Sequence, residues 1–215
     1  MRKEVIQEII EEDTYRPYAL EAMEYIQNCF WEMGMVLAVE KERKVFNQIS
    51  CRIKSADSIL KKIKKKNYPL NREGIFKCND LLGIRMVCLF MDDVYEIAKR
   101  ARNREDFRII KEKDYIKKPK SNGYMSLHLI VEVPISLKEK EDVQPIKVEV
   151  QLRTVAMDFW SVLDHQLVYK KEFPGAETVG KELKEYAATI SELDKNMLKL
   201  RKKIERLSGQ ILVSP

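Results

Sequence analysis

The sequence predicts an α+β protein with helices at both ends and strands in the middle. Residues 146–154 alternate strictly between apolar and polar side chains, which is the period of a strand with one buried face. Residues 83–90 form a nearly continuous apolar run with β character, as in a central strand. Near both ends, apolar residues recur at spacings of three to four, which indicates helices.

Composition narrows the class of protein further. Of the 215 residues, 45% are hydrophobic and 34% charged, with only 7 Gly and 7 Pro, which is typical of a compact, helix-rich chain. No apolar run approaches the roughly 20 residues of a membrane span, and the acidic, amphipathic N-terminus does not resemble a signal peptide. The four Cys lack metal-type spacing, so we expect reduced thiols in a cytoplasmic protein.

The N-terminal third is predicted to be helical. Residues 1–47 carry apolar residues at helical spacing, which indicates a packing or oligomer face. Residues 49–66 are predicted to form a second helical region, on which Lys54, Ser58 and Lys62 share one face at i, i+4 and i+8. Two ammonium groups around a hydroxyl, with Arg52 just upstream, suit a chain of phosphate oxygens, although a solvated lysine face has the same pattern.

Charge is concentrated in this same region. The chain carries a net charge of +6, and residues 52–66 contain seven basic residues against one acid, Asp57. A basic element on a nearly neutral body suggests a polyanion site for a nucleotide phosphate chain, RNA, or both.

The apolar run at 83–90 is interrupted by Arg85, and Asp80 lies just before it. A buried guanidinium is costly without a partner. The two residues are therefore either a structural ion pair or a metal-binding carboxylate and a nucleotide-facing guanidinium.

Beyond this run, the pattern alternates between helix, strand and loop. We predict a helix at 92–105, a short strand at 107–110, a basic loop at 114–123 and a strand at 124–133. On the last strand, Tyr124, Ser126 and His128 are expected on the face opposite the apolar one, where a ring, a hydroxyl and an imidazole could bind a base.

The strand at 146–154 presents Lys147, Glu149, Gln151 and Arg153 on its polar face. This face is either solvated or a surface for phosphate and metal with one acidic ligand. After a predicted amphipathic helix at 155–171, a heptad repeat begins at Leu183 and ends at Leu207. It is expected to pack on the N-terminal helix or on another subunit.

Four segments together resemble the synthetase domain of the RelA/SpoT family, in the short form of the small alarmone synthetases. The resemblance covers roughly residues 45–171. It rests on Arg52-Ile-Lys54 with Ser58 and Lys62, on Asp80 to Arg85, on Asp114 to His128, and on Glu149 to Thr154 followed by Ala156 to Trp160, His165, Tyr169 and Lys170.

The resemblance implies a fold and an activity. The fold would be a nucleotidyltransferase-like mixed β-sheet covered by helices, with an N-terminal helical segment at 1–47, a synthetase domain at 48–173 and a C-terminal heptad helix at 174–215. The activity would be Mg²⁺-dependent transfer of the β,γ-pyrophosphate of ATP to the 3′-hydroxyl of GTP or GDP. With only two His in the chain, the His-rich hydrolase domain of full-length relatives is not expected.

The family's functional positions map onto residues of this sequence. Asp80 and Glu149 would be the catalytic and metal-binding acids. ATP would be bound by Arg52, Lys54, Ser58, Lys62 and Arg85, with the two arginines sandwiching the adenine. The GTP or GDP site would contain Lys120, Asn122, Tyr124, His128, Gln151 and Asp158, with Tyr124 stacking on the guanine.

Two alternatives remain at this point: an RNA-binding regulatory module that uses the basic helix, and another nucleotidyltransferase on the same fold. The second would be expected to carry paired aspartates after a Gly-Ser turn, which the sequence lacks. We also expect a homo-oligomer, as the tetrameric small synthetases suggest, and single-stranded RNA as an additional partner.

Overall fold

The computed structural model describes residues 3–12, 15–135, 144–167 and 174–211 and confirms the α+β class. Five strands form one mixed sheet in the order β1-β2-β5-β4-β3, in which only the β2–β5 pair is parallel. The strands are β1 Phe46–Ile53, β2 Leu82–Cys88, β3 Arg108–Asp114, β4 Leu127–Ile135 and β5 Gln144–Thr154. The helices are α1 Lys3–Glu11, α2 Arg16–Glu40, α3 Ala56–Lys66, α4 Arg72–Phe76, α5 Met91–Arg102, α6 Val155–Leu167 and α7 Ala176–Ile211.

The main core lies between one face of the sheet and helices α2 and α5. The alternating residues of β5 fulfil the prediction, because Val148, Val150 and Leu152 are fully buried in this core. Phe30 of α2 and Ile97 of α5 cover the same face. Since period-two alternation sends the next residues to the other side, the opposite face of the sheet carries the polar side chains.

A second, smaller core fixes α3 beside the start of β2. It contains Ile6 of α1, Ile59 and Ile63 of α3, and Ile75 of α4, all fully buried. Because Ile59 and Ile63 lie on one side of α3, this apolar side directs the opposite, lysine-bearing side of the helix away from the small core.

The helix predicted for 49–66 is wrong in its first half. Residues 46–53 form β1, and α3 begins only at Ala56, after Ser55 in an extended conformation. Ile49, Cys51 and Ile53 pack against the main core while Ser50 and Arg52 alternate with them. The period of two was present in the sequence, but the helical spacing of the later isoleucines masked it.

The helix predicted for 1–47 is likewise divided. α1 ends at Glu11 and α2 begins at Arg16, with Pro17 in its first turn, where proline's missing N–H costs nothing. The chain then turns after Glu40, and β1 starts at Phe46.

The region between α5 and β5 differs from the prediction in its details. The strand expected at 107–110 extends to Asp114, so the basic loop begins later. β4 begins at Leu127, and Ser126 is fully buried, where its hydroxyl donates to the Leu152 carbonyl at 3.2 Å. Ser126 is therefore not part of an exposed base-binding face. The connection between β4 and β5, residues 136–143, lies outside the described residues.

Helix α7 docks on α6 by its N-terminal half. The indole Nε1 of Trp160 donates to the Leu183 carbonyl at 2.9 Å, and both residues are buried. The helix predicted for 155–171 is confirmed as α6 to Leu167, and residues 168–171 lie outside the described residues. No helix in the described part of the chain has the length and hydropathy needed to cross a membrane.

Candidate active site

The polar face of the sheet is organised in rows, because residues directly opposite one another on neighbouring strands share a face. Arg52, Gly83 and Glu149 form one row across β1, β2 and β5. The next row crosses four strands and consists of Ser50, Arg85, Gln151 and His128. Residues far apart in the sequence thus meet on one surface.

Asp80 lies just before β2, between two lysines. The Lys54 Nζ is 2.7 Å from its Oδ2 and the Lys62 Nζ is 2.7 Å from its Oδ1; we call these three residues the Asp80 cluster. Desolvation opposes ionisation of Asp80, but the two ammonium groups outweigh it and lower the pKa of the carboxyl. The structural ion pair considered between Asp80 and Arg85 is not formed, because each has other partners.

Lys54 reaches this position from the bend between β1 and α3, where its backbone N–H donates to the Leu81 carbonyl at 2.8 Å. It is therefore not on the predicted helical face with Ser58 and Lys62, but the tertiary structure still brings both lysines to one carboxylate. Ser58 lies in the first turn of α3 and accepts a hydrogen bond from the Ser55 hydroxyl at 3.0 Å.

Arg52 and Gly83 are opposite one another at the same end of the sheet. A Cβ atom on Gly83 would lie 3.5 Å from Arg52 Cγ, so the arginine side chain passes directly over the glycine. Arg52 is exposed. Because Gly83 has no side chain, the Arg52 side chain can lie close to the sheet at this point.

Glu149 is half-buried on β5 and is held by two neighbours. Its Oε1 is 3.2 Å from His128 Nδ1, and its Oε2 accepts from Gln151 Nε2 at 2.7 Å. Burial raises the pKa of this carboxyl, but the hydrogen bonds and the charge of Lys62 more than compensate and hold it below its usual range. Lys62 is therefore the ion-pair partner of Asp80 and also a positive charge near Glu149, the two acids singled out in the sequence.

His128 is buried, and both of its ring nitrogens have protein partners. Its Nε2 is 2.8 Å from the Tyr124 hydroxyl, which also accepts from Arg153 Nη2 at 2.7 Å. Desolvation lowers the pKa of His128 despite the neighbouring Glu149, so the ring is neutral at pH 7. Because arginine can only donate, the Tyr124 proton points to Nε2, and Nδ1–H donates to Glu149.

Arg153 is the centre of what we call the Arg153 network, which also includes Tyr124, His128, Gln151 and Asp158. The arginine is only 5% exposed. Besides Tyr124, its guanidinium donates to Gln151 Oε1 at 2.7 Å, to Asp158 Oδ1 at 3.1 Å and to Ser161 Oγ at 2.9 Å. The Gln151 amide is thus oriented with its oxygen towards Arg153 and its NH₂ towards Glu149.

Helix α6 brings Asp158 over the polar face. The Asp158 Oδ1 accepts from Arg85 Nη1 as well as from Arg153 Nη1, each at 3.1 Å. The partner that Arg85 required in its buried strand is therefore Asp158, which is 73 residues away. Arg85 also donates to the Ser50 hydroxyl at 3.4 Å.

The loop before β4 closes one side of the site. The Lys120 Nζ lies 4.3 Å from the centroid of the Tyr124 ring and 4.7 Å from that of Tyr115. Although Lys120 is exposed as a residue, desolvation of its ammonium group and two nearby cations lower its pKa. Asn122 forms a turn by accepting from the Tyr124 N–H at 3.2 Å, and Gly123 has a φ of +92° that favours glycine.

The predicted acids fit a hard divalent cation that is shared with a substrate. Both oxygens of Asp80 face lysine ammonium groups at 2.7 Å, which a cation or phosphate oxygens could replace, and the carboxylates of Asp80 and Glu149 supply the hard oxygen donors that Mg²⁺ prefers. The described parts of the chain contain no group of three or more His, Cys, Asp or Glu that could hold a metal by themselves. Mg²⁺ is commonly bound in this way, by one or two carboxylates together with substrate phosphates.

Most predicted site residues therefore lie on one face, in two groups: the Asp80 cluster and the Arg153 network, to which Glu149 is joined through His128 and Gln151. Arg153 was not among the predicted site residues, although it makes more hydrogen bonds than its neighbours on β5. The sequence feature that could have identified Arg153 as a site residue is the alternation that puts it on the same face as Glu149 and Gln151.

Comparison with known proteins identifies relatives of this arrangement. The sequence model for the region found in RelA / SpoT proteins matches residues 51–173. GTP pyrophosphokinase YwaC of Bacillus subtilis is 39% identical over 155 residues, which cover 72% of this chain and 73% of that protein. GTP pyrophosphokinase YjbM of the same organism is 32% identical over 166 residues, or 77% of each chain.

A solved structure shares the fold. The crystal structure of the small alarmone synthetase 1 from Bacillus subtilis bound to its product pppGpp matches with a TM-score of 0.78 and 30% sequence identity. The match covers 87% of this chain and 94% of that chain. The five-stranded mixed sheet and its helices are thus those of a small alarmone synthetase.

Proposed function

Because the chain belongs to the RelA/SpoT family, we propose that it is a GTP pyrophosphokinase, which makes (p)ppGpp and AMP from ATP and GTP or GDP. The observation that supports this function is the pair of carboxylates: Asp80, paired with Lys54 and Lys62 just before β2, and Glu149, held by His128 and Gln151 on the neighbouring strand β5. A cationic cluster lies beside one acid and an aromatic, hydrogen-bonded network beside the other. Pyrophosphate transfer between two nucleotides requires one binding region for the donor and another for the acceptor.

ATP is bound on the side of the Asp80 cluster. Lys54 and Lys62 hold the phosphates together with Ser58. Arg52 and Arg85 lie in adjacent rows of the same face, which supports their proposed contact with the two faces of the adenine ring. The lysines would exchange part of their contact with Asp80 for phosphate oxygens.

Asp80 and Glu149 hold Mg²⁺ in this proposal. When bound, the ion neutralises charge that develops on the phosphate oxygens during transfer. The oxygen donors of these two carboxylates, together with substrate phosphates, support this role.

The acceptor nucleotide is bound on the side of the Arg153 network. We assign Tyr124 to stacking on the guanine, Lys120 and Asn122 to the loop that encloses it, Gln151 to the ribose side and Asp158 to the base edge. Since both nitrogens of His128 are already engaged, we propose that it acts by orienting Glu149 and Tyr124 and not by direct contact.

In the transfer itself, the 3′-oxygen forms a bond to the β-phosphorus of ATP while the bond from that phosphorus to the α,β-bridging oxygen breaks. AMP leaves with this oxygen, and the hydroxyl proton passes to Glu149. Because the pKa of Glu149 is below its usual range, the carboxylate is ionised at neutral pH but is a weak base. It therefore orients the hydroxyl and receives the proton only as the new bond forms.

The function is tested by incubating the protein with Mg²⁺, ATP labelled on its γ-phosphate, and GDP or GTP. We expect label in a guanosine 3′-diphosphate product and one AMP for each transfer, measured by thin-layer chromatography and anion-exchange chromatography. Release of ADP would indicate an ordinary kinase, and release of pyrophosphate a nucleotidyltransferase. Either result, or the absence of any transfer, would overturn the proposal. We also propose that the protein is cytoplasmic, because these nucleotides are available there.

The predicted RNA partner would contact the end of α3. Lys64, Lys65 and Lys66 are exposed there and follow the lysine assigned to ATP. Single-stranded RNA binding that weakens with salt and with Lys65→Met would support this additional partner.

Self-association is proposed for the outer side of α7. Of the predicted heptad positions, Leu183 is buried against α6, whereas Leu193, Met197, Leu200 and Ile204 are exposed along one stripe. This stripe does not pack on the N-terminal helices within the described residues. We expect a homo-oligomer, with the tetramer tested by light scattering after size exclusion.

A further inference from the structure

Helix α7 lies outside the residues matched by the family model, yet it contacts the elements that form the site. Beside the Trp160–Leu183 contact, Ala187 packs so closely on Gly123 that a Cβ there would lie 2.5 Å from it. Further along, Arg201 pairs with Asp92 at 2.5 Å. The helix is therefore docked at several points along its length.

A buried carboxylate on α7 stands out among these contacts. Asp194 is 5% exposed, and its Oδ2 accepts from the hydroxyl of Thr154 at 2.7 Å. Thr154 is fully buried at the end of β5. Asp194 belongs to neither the Asp80 cluster nor the Arg153 network.

The Thr154 hydroxyl has a second role, because it caps α6. Its Oγ1 accepts from the Met157 N–H at 3.2 Å, the third N–H of the helix. This is the usual geometry of an N-cap residue. The Thr154 hydroxyl donates its single proton to Asp194, which leaves its lone pairs aimed at the helix. Burial raises the pKa of the Asp194 carboxyl, and the hydrogen bond from Thr154 opposes this shift.

The turn that Thr154 caps is the one that carries Asp158. Asp158 bridges Arg85 and Arg153, and Ser161 one turn later also accepts from Arg153. A change in the first turn of α6 would therefore move the bridge between the two arginines.

We propose that Asp194 is a positioning residue for the acceptor nucleotide, which fixes the Thr154 cap of α6 and thereby the position of Asp158 between Arg85 and Arg153. The inference rests on the proposed function for the identity of that nucleotide. The hydrogen-bond chain itself is independent of the function. Its consequence is that the synthetase site is incomplete without a helix beyond residue 173.

The test compares Asp194→Ala with Asp194→Asn in steady-state kinetics of the full chain. The alanine variant removes the acceptor of the Thr154 proton, so we expect the KM for GDP to rise about fivefold with kcat within about twofold. The KM for ATP should rise less, by about twofold, because Asp158 also holds Arg85, whereas Ser50 still contacts that arginine. The asparagine variant retains a carbonyl oxygen at the same place and is expected to restore the KM for GDP.

The matched control is Arg201→Met, which loosens α7 at the Asp92 contact without touching the α6 cap. We expect it to lower Tm as Asp194→Ala does while leaving both KM values unchanged. Equal effects of the two variants on the KM for GDP would reduce Asp194 to a docking contact and overturn the proposal. So would failure of Asp194→Asn to restore it.

Thr154→Val provides an independent variant, since it removes the hydroxyl and keeps the shape. Its effect on the KM for GDP should match that of Asp194→Ala, and the double variant should be no worse than either single one. Additive effects would show that the two residues do not act through one another.

Amide exchange separates this proposal from the proposed function. In the absence of substrate, exchange of the Met157 amide should be about fivefold faster in Asp194→Ala and unchanged in Arg201→Met. If the wild type made no (p)ppGpp but this exchange pattern held, the proposed function would fail and the cap mechanism would stand. An unchanged exchange rate of the Met157 amide in Asp194→Ala would contradict the cap mechanism even if the wild-type enzyme is active.

Discussion

The two halves of the candidate site are built in different ways. The Asp80 cluster consists of a carboxylate and two lysines from the short stretch between β1 and β2, and its lysines are partly exposed, with 17% and 29% of their side chains accessible. The Arg153 network joins β4, β5 and α6, and the Arg153 side chain is only 6% exposed.

This difference in burial has different consequences for substrate binding and for the stability of the fold. Partly exposed lysines can exchange one anionic partner for another at low cost, as a polyphosphate site requires. A buried guanidinium with four acceptors cannot lose one without leaving an unpaired charge or hydrogen bond. Substitutions in the Asp80 cluster should therefore affect substrate binding, and those in the Arg153 network should also affect the free energy of unfolding.

The largest effect is expected between the two halves, at Glu149. Glu149→Gln removes the charge and the proton acceptor while preserving the shape, so we expect kcat to fall about 1,000-fold. Because His128 and Gln151 both donate to Glu149 and an amide has only one acceptor oxygen, we also expect Tm to fall by a few degrees. The measurement is the rate of (p)ppGpp formation. Glu132→Gln on β4, whose partner is the exposed Arg108, is the matched control and should keep full activity. More than a tenth of the activity in Glu149→Gln would contradict its role.

The second effect distinguishes the halves by stability. Asp158→Ala leaves buried Arg153 without a carboxylate, and we expect it to lower the free energy of unfolding by about 2–3 kcal/mol in urea titrations. Lys62→Met should lower it by less than about 1 kcal/mol, because its ion pair is partly exposed and Lys54 still holds Asp80. Equal losses in the two variants would remove the contrast drawn between the two regions.

The third effect distinguishes them by substrate. Lys62→Met should raise the KM for ATP about tenfold, which corresponds to about 1.4 kcal/mol, and leave the KM for GDP nearly unchanged. Lys65→Met, on the exposed end of the same helix, is the control and should change neither constant. A selective rise in the KM for GDP would reverse the assignment of the two halves.

The smallest effect is a pH dependence within the Arg153 network. The pKa of His128 is lowered from 6.5, so the unfolded chain takes up a proton before the folded protein does. The stabilisation that this group contributes is thus present above about pH 6.5 and is lost as the pH falls from there through the folded pKa. We expect Tm of the wild type to fall over this range relative to that of His128→Gln, measured in the same buffers. A parallel course of the two curves would contradict a neutral His128. NMR titration is a direct check, because the chain has only two His.

The sequence predicted the components of the site better than the elements that carry them. Lys54 and Lys62 were placed on one helix, whereas the structure has Lys54 in a bend after β1. They still meet at Asp80, because the Lys54 N–H is bonded to Leu81 and α3 is fixed by its buried isoleucines. The family motif is defined by residue types and by their order in the chain. A local error in the predicted secondary structure therefore does not change which residues it identifies.

For Ser126 and His128, the sequence predicted the strand face but not the burial of the side chains. Alternation put both on an accessible face, but it cannot distinguish an exposed face from one covered by α6 and the loop before β4. Burial depends on elements far away in the chain, which periodicity within a strand does not describe.

By itself, the sequence determined the buried strands and the basic helix, because these follow from local periodicity and local charge, and its motif order proposed the residues of the site. Only the tertiary structure decided that Arg85 pairs with Asp158, that His128 is neutral and holds Glu149, and that Asp194 supports the cap of α6. Each of these contacts joins elements separated in the chain. Its strength comes from burial, which exists only once the sheet and helices have packed.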